Sequence, residues 1–251
     1  MRPSSGSIVA ASDAEAALLW REVFSEGCYD RALRVAGTGA IIDGGANIGA
    51  FTVRARELCA EARIIAIEPA RETLEYLCAN LRACGVEAEV LHGALGGEDS
   101  MRDFSYYPQA PGQSGFYVNE HRDDHATATF LIHSGMAAAE AWELAVDIHR
   151  TIRHEPVPVF TLRSIVDRFG IDRIGLLKLD VEGSEVEVMA TIDDDIWGRI
   201  EALAMEVHCP KPERRRIADT LRSHGMVSTW SQDPRLAGTD MYFVIATAGR
   251  R

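Results

Sequence analysis

The stretch "IIDGGANIGAF", residues 41–51, runs from a short apolar strand into a glycine-rich turn and then toward a helix. Further along lie similar apolar runs: "RIIAIE" at 63–68, "IGLLKLD" at 174–180 and "ALAMEV" at 202–207. "AII" at 40–42 is the first of the set. These runs are continuous rather than alternating, which fits strands covered by helices on both faces of a parallel sheet. Between them, "ARETLEYLCANLRACG" sets Leu74, Leu77, Cys78 and Leu81 at i, i+3, i+4 and i+7, with Gly85 as a stop. Strand–helix alternation of this kind predicts a doubly wound α/β domain.

Two regions break the rhythm. Residues about 105–155 hold "YYPQAPGQSGFY", then "NEHRDDHATATF", then the helical-looking "MAAAEAWELAVDIHRTI". An insert of that length is expected to be a lid or a loop. The tail, "GMVSTW" and "TDMYFVIATA" around "SQDPRLAG", predicts an antiparallel hairpin at one side of the sheet. Residues about 1–37 are expected to form an N-terminal helical segment, with a helix over about 12–26. The whole chain, 1–251, is read as one domain.

Composition narrows the classes. The chain has 251 residues and a formal net charge of -12, so phosphate-gripping nucleic-acid binding is disfavoured. "ERRRI" (213–217) is the one compact basic run and reads as a solvated helix face. No stretch approaches the ~18 apolar residues of a membrane span, and the N-terminal run is too short for a signal peptide. Five cysteines (28, 59, 78, 84, 209) without CxxC spacing read as reduced, mostly buried thiols. A cytoplasmic protein without nucleic-acid or membrane partners is the expectation.

The glycine turn lacks the Lys of a GxxxxGK[ST] phosphate loop and does not supply GxGxxG in register. Its pattern is Asp43-x-Gly45-x-Asn47-x-Gly49, and the second strand ends in Glu68-Pro69. A carboxylate at a strand tip suits a ribose diol, and glycines let backbone approach a ligand. One carboxylate with no cation suits a zwitterion better than a pyrophosphate, and S-adenosylmethionine is such a zwitterion.

In order, "IIDGGANIGAFTVRARE", "IIAIEPARETLEYLCANL", "LHGALGGEDS", "LLKLDVEGSEVEVMATI" and "WGRIEALAMEVH" resemble the FkbM-type family of S-adenosylmethionine-dependent methyltransferases. The resemblance covers roughly residues 38–247, and "LLKLDVEGSE" with "EVH" is its most specific part. The insert "YYPQAPGQSGFY" resembles that of members working within, or beside, polyketide and nonribosomal peptide assembly lines. The resemblance implies a class I methyltransferase, Rossmann-like fold: a seven-stranded sheet with one antiparallel strand, plus a helical or loop lid insert. It implies methyl transfer to a hydroxyl of a secondary metabolite, free or carrier-bound. Nitrogen or carboxylate acceptors, or a non-catalytic assembly partner, stay open as alternatives. Carried across, Asp43, Gly44, Gly45, Asn47 and Gly49 line the methionine end of the cofactor. Glu68 and Pro69 hold the ribose, and Gly93, Ala94 and Leu95 lie beside the adenine. Asn47 departs from the general methyltransferase glycine motif, as the family itself does.

Chemistry is expected beyond the carboxyl ends of the strands. Asp180 and Glu182 follow one strand; Glu206 and His208 end another, two apart and so on one face. His208 is the candidate base, with Glu206 or Asp180 orienting it. The same Asp180, Glu206 and His208 could instead hold Mg²⁺ or another divalent cation; Asp180 is also a cofactor-side candidate. Lys178 could pair with Asp180. Glu185 and Glu187 read as helix surface. His121, His125, His133, His149 and His154 of the insert read as lid or solvent surface, with "EHRDDHAT" not helical. Tyr106, Tyr107, Phe116 and Tyr117 are candidates to wall an acceptor pocket.

Overall fold

The computed structural model describes residues 8–249. An N-terminal helix α1 (Asp13–Trp20) begins at Ser12, whose side chain accepts the Glu15 N–H. It continues as a π-helical turn over Arg21–Glu26 before the short α2 (Asp30–Leu33). β1 (Ala40–Gly44), α3 (Ala50–Leu58), β2 (Ile64–Glu68), α4 (Arg71–Cys84) and β3 (Glu89–His92) follow as strand–helix repeats. Gly85, at φ 63°, ends α4 where the sequence places the stop.

The chain then builds β4 (Ala94–Leu95) and β5 (Ser100–Tyr106), the helices α5 (Glu120–His133) and α6 (Ala138–His149), and β6 (Arg153–Phe160). After α7 (Leu162–Phe169) come β7 (Ile174–Leu179), α8 (Glu185–Ala190), α9 (Asp194–Trp197), β8 (Ala202–His208), α10 (Lys211–Ser223), β9 (Met226–Ser231) and β10 (Met241–Ala248).

Seven strands form the main sheet in the order β3-β2-β1-β7-β8-β10-β9. β10 runs antiparallel to both of its neighbours, β8 and β9, while the other pairs are parallel. This is the doubly wound α/β sheet with one antiparallel strand, and the expected tail hairpin forms its edge. Strand alternation feeds two cores. Ile42, Ile65, Ile67 and Leu177 point to the side covered by α7, α8 and α10. Ile41, Ile64, Ala66 and Leu176 point to the side of α2, α3 and α4. Each of these Ile and Leu side chains, when fully buried, contributes roughly 1.5–3 kcal/mol.

A smaller sheet, β4-β6-β5, stands beside the main one. Its antiparallel pair β5–β6 carries the insert between Tyr106 and Arg153, which are cross-strand partners. The insert is therefore a helical hairpin on a two-strand stalk, and α5 corrects the expectation that "EHRDDHAT" is not helical. Asn119 explains the difference: its side chain accepts the Arg122 N–H and starts the helix. Two of the five cysteines, Cys59 and Cys209, are buried; the other three are half-buried, which corrects the expectation that most are buried. No helix among the described residues is long and apolar enough to cross a membrane.

Candidate active site

The carboxyl ends of β1, β2 and β7 meet at one cleft, with about 540 Å³ of atom-free space that includes solvent at its mouth. Gly45, Asn47 and Glu68 line it on one side, and Asp180, Glu182 and Ser184 on the other. Gly45, at φ 75°, is held against the turn after β7: a Cβ there would lie 1.8 Å from the Asp180 carbonyl oxygen. Only glycine combines that φ with that approach. Asn47 also takes a left-handed conformation, φ 48°, and its Oδ1 is buried without a hydrogen-bond partner. Glu68 accepts the Asn47 N–H at 2.8 Å and the Ala70 N–H at 2.9 Å. Burial lifts its carboxyl to about 7 although those two N–H groups pull it down.

Asp43 does not line the cleft. It is wholly buried, accepts the Thr52 hydroxyl at 2.6 Å and faces the Lys178 ammonium at 3.1 Å. Lys178 also donates to the Gly45 carbonyl at 2.7 Å and lies 3.5 Å from Asp180. Burial alone would lower this ammonium, but Asp43 and Asp180 hold it above its ordinary range. Asp43 thus braces the glycine turn from beneath, through Lys178. Lys178 pairs with Asp180, as expected, and more closely with Asp43. Pro69, Ala94 and Leu95 line the cleft. Gly44, Gly49 and Gly93 stand behind it, where added side chains would meet Leu95, Leu77 and Phe160.

His208 lies one layer back from the cleft, with its side chain 6% exposed. Its Nδ1 is 3.2 Å from Glu185 Oε1; its Nε2 is 3.3 Å from Glu182 Oε2 and 3.7 Å from Glu206 Oε1. Burial opposes the charge, yet Glu182, Glu185 and Glu206 together raise the imidazole well above its usual range. The group that opens to the cleft is Glu182, held at φ 47°, a backbone conformation that costs of order 1–3 kcal/mol.

Glu185 corrects the surface reading: it is wholly buried and accepts the Val181 and Gly183 N–H groups at 3.3 and 3.1 Å. Glu185 and Glu182 stand nearest His208, and of the two groups expected to orient it, Glu206 or Asp180, it is Glu206 that lies by the ring, at 3.7 Å. The spacing held a signal, since Glu185 sits three and four residues before the buried Val188 and Met189 on one helical face. Among the described residues no group of three or more His, Cys, Asp or Glu is arranged to hold a metal. His208, in the trio considered for a divalent ion, has both ring nitrogens turned toward carboxylates.

A model of the FkbM methyltransferase domain matches residues 43–228. The chain belongs to the FkbM methyltransferase family. A relative named 31-O-demethyl-FK506 methyltransferase FkbM, from Streptomyces tacrolimicus, is 31% identical over 98% of this chain and 96% of its own length. The AMB antimetabolite synthetase AmbE of Pseudomonas aeruginosa is 26% identical over 96% of this chain, which spans 12% of that protein. Among solved structures, the N-terminal domain of human METTL16 in complex with SAH is 10% identical, at a TM-score of 0.48, over 97% of this chain and 73% of that one.

Membership in the FkbM family makes this a methyltransferase and implies S-adenosylmethionine as its methyl donor. The cleft residues fit that group. Glu68 is a carboxylate at a strand tip with lone pairs to offer a diol, Asn47 Oδ1 is an unpaired acceptor, and Leu95 supplies an apolar wall.

Proposed function

We propose that this methyltransferase transfers the methyl group of S-adenosylmethionine to a hydroxyl of a small natural-product acceptor, free or carrier-bound. One observation carries the reading: Glu68 and Asn47 open to the same cleft as Asp180 and Glu182. A donor held by the first pair would thus face an acceptor held by the second. The name of the Streptomyces relative, 31-O-demethyl-FK506 methyltransferase, supports oxygen as the acceptor atom. The relative named as an antimetabolite synthetase, of which this chain spans 12%, is compatible with an acceptor handled beside a larger synthetase.

Bound S-adenosylmethionine supplies the methyl group and the sulfur that leaves with the bonding electrons. The residues do the rest. Glu68 and Asn47 orient the donor, and Asp180 and Glu182 bring the hydroxyl into line; such alignment is worth several kcal/mol, up to roughly 7–11. The hydroxyl proton passes to the Glu182 carboxylate. The charged His208 behind Glu182 and Glu206 favours the ionised form of Glu182, the form that can accept that proton.

Calorimetric titration of S-adenosylmethionine and S-adenosylhomocysteine, with NAD⁺ as control, tests the donor half. Micromolar binding of both adenosyl ligands is expected, lost in Glu68→Ala; no binding to folded protein overturns the reading. With any hydroxyl acceptor that the protein turns over, Glu182→Gln and His208→Ala should each slow turnover by roughly 10²-fold, with donor binding kept. Turnover in EDTA separates the divalent-ion alternative from this reading.

A further inference from the structure

The insert holds a buried polar row that the chemistry above does not use. His149, in the last turn of α6, is 2% exposed. Its Nδ1 is 2.7 Å from Asp124 Oδ1 on α5, and its Nε2 is 2.7 Å from the Gln113 Oε1. Thr127, also on α5, donates its hydroxyl to the same Gln113 oxygen at 3.1 Å. The Tyr107 ring lies 4.8 Å from the imidazole, and its hydroxyl donates to Asp123. Polar groups bonded in this way around a buried imidazole favour one geometry.

Gln113 belongs to a short turn, residues 111–114, three of whose members, Pro111, Gly112 and Ser114, line the cleft. The neighbouring Ser114 hydroxyl accepts the Tyr107 N–H at 2.9 Å, so the turn is gripped at two adjacent residues. Its reach is set by glycines. A Cβ on Gly112 would stand 3.3 Å from the Asn47 amide nitrogen, and one on Gly115 would stand 2.9 Å from the Glu182 carbonyl oxygen. This strap therefore crosses from the glycine turn of β1 to the acidic turn after β7. Those are the two sides that must keep a fixed spacing for in-line transfer.

We infer that Gln113 and His149 are positioning residues: they hold the 111–115 strap across the cleft and set how tightly the methyl donor is enclosed. The inference rests on the methyl-donor reading of that cleft.

Two measurements on the full chain test this. The first is hydrogen exchange over residues 107–117, without ligand, in the wild type, Gln113→Ala and Gln113→Glu. The second is the dissociation rate of S-adenosylhomocysteine from the same proteins. Gln113→Ala should exchange faster across the strap and release the ligand about tenfold faster, a factor in keeping with the loss of a buried hydrogen bond. Gln113→Glu, which keeps an acceptor oxygen within reach of His149 and Thr127, should restore slow exchange and slow release. A Gln113→Ala protein with wild-type exchange and wild-type release overturns the inference. Faster exchange with unchanged release overturns the enclosing role. A wild type that binds no S-adenosylhomocysteine, with Gln113→Ala still exchanging faster, removes the methyl-donor reading and leaves the tether standing.

Discussion

Glu185 sets the local frame for the acidic turn. Its carboxylate is the common partner of the Val181 N–H, the Gly183 N–H and the His208 imidazole, in a position with no solvent access. The His208 charge and the backbone donors pull it below its ordinary range against the effect of burial. Removing the side chain leaves two buried donors and one side of a buried cation without partners. Glu185→Ala should therefore cost about 2–5 kcal/mol in urea unfolding. Glu185→Gln, which keeps an acceptor oxygen, should cost less. Equal stability of Glu185→Ala and wild type would mean that Glu182 alone neutralises His208. At this scale the sequence showed the right neighbourhood and misjudged the burial of Glu185. Asp180, Glu206 and His208 were visible at strand ends, where the fold puts ligands. Which carboxylate faces the imidazole depends on how the 180–184 turn curls back, and that follows from Gly183 and Glu182 at positive φ.

Among the elements, the junction of β1 with α3 is the one that admits least change. Its backbone is bonded to β2 through the Gly45 and Ala46 N–H groups on the Ile67 carbonyl, and to the turn after β7 through the Asp180 N–H on the Gly44 carbonyl. A methyl group at Gly45 would enter the Asp180 carbonyl oxygen, so one turn or the other must move. Gly45→Ala should lose about 1–3 kcal/mol of stability and weaken S-adenosylhomocysteine binding in calorimetry. Binding equal to wild type would show that the two turns shift without cost. This element was legible because the apolar run, the glycines and the helical periodicity all lie within one contiguous stretch. The insert was less so. Its helix α5 begins at an Asn cap and its His149 is buried by residues on three separate segments, a long-range pairing that local pattern does not carry.

Across the whole molecule, charge is arranged against itself. Burial raises Glu15, Glu68 and Glu206 from 4.5 to about 7; burial and the neighbouring carboxylates Glu206 and Glu26 raise Glu22 to about 8. Between about 4.5 and 8 the folded chain therefore holds more protons than the unfolded one. By linkage its stability must fall as pH rises through that window. His208, raised above its ordinary value, acts in the same direction. The ligand-free protein should melt at a higher temperature at pH 5.5 than at pH 8.5, and a higher melting temperature at pH 8.5 would contradict these shifts. Bound S-adenosylhomocysteine should narrow the gap, since diol donors on Glu68 favour its ionised form.

The two-strand stalk has a consequence for how such a molecule changes over generations. Because Tyr106 and Arg153 are cross-strand partners, the chain leaves the main body and re-enters it at points about 5 Å apart. Whatever lies between those points can be exchanged for a segment of another length at little cost in chain closure. The β-sheet is then a chassis and residues 107–152 a cartridge. A single recombination there would replace Pro111, Gly112, Ser114 and Phe116 of the cleft wall at one stroke, while Asn47, Glu68 and Asp180 stay in place.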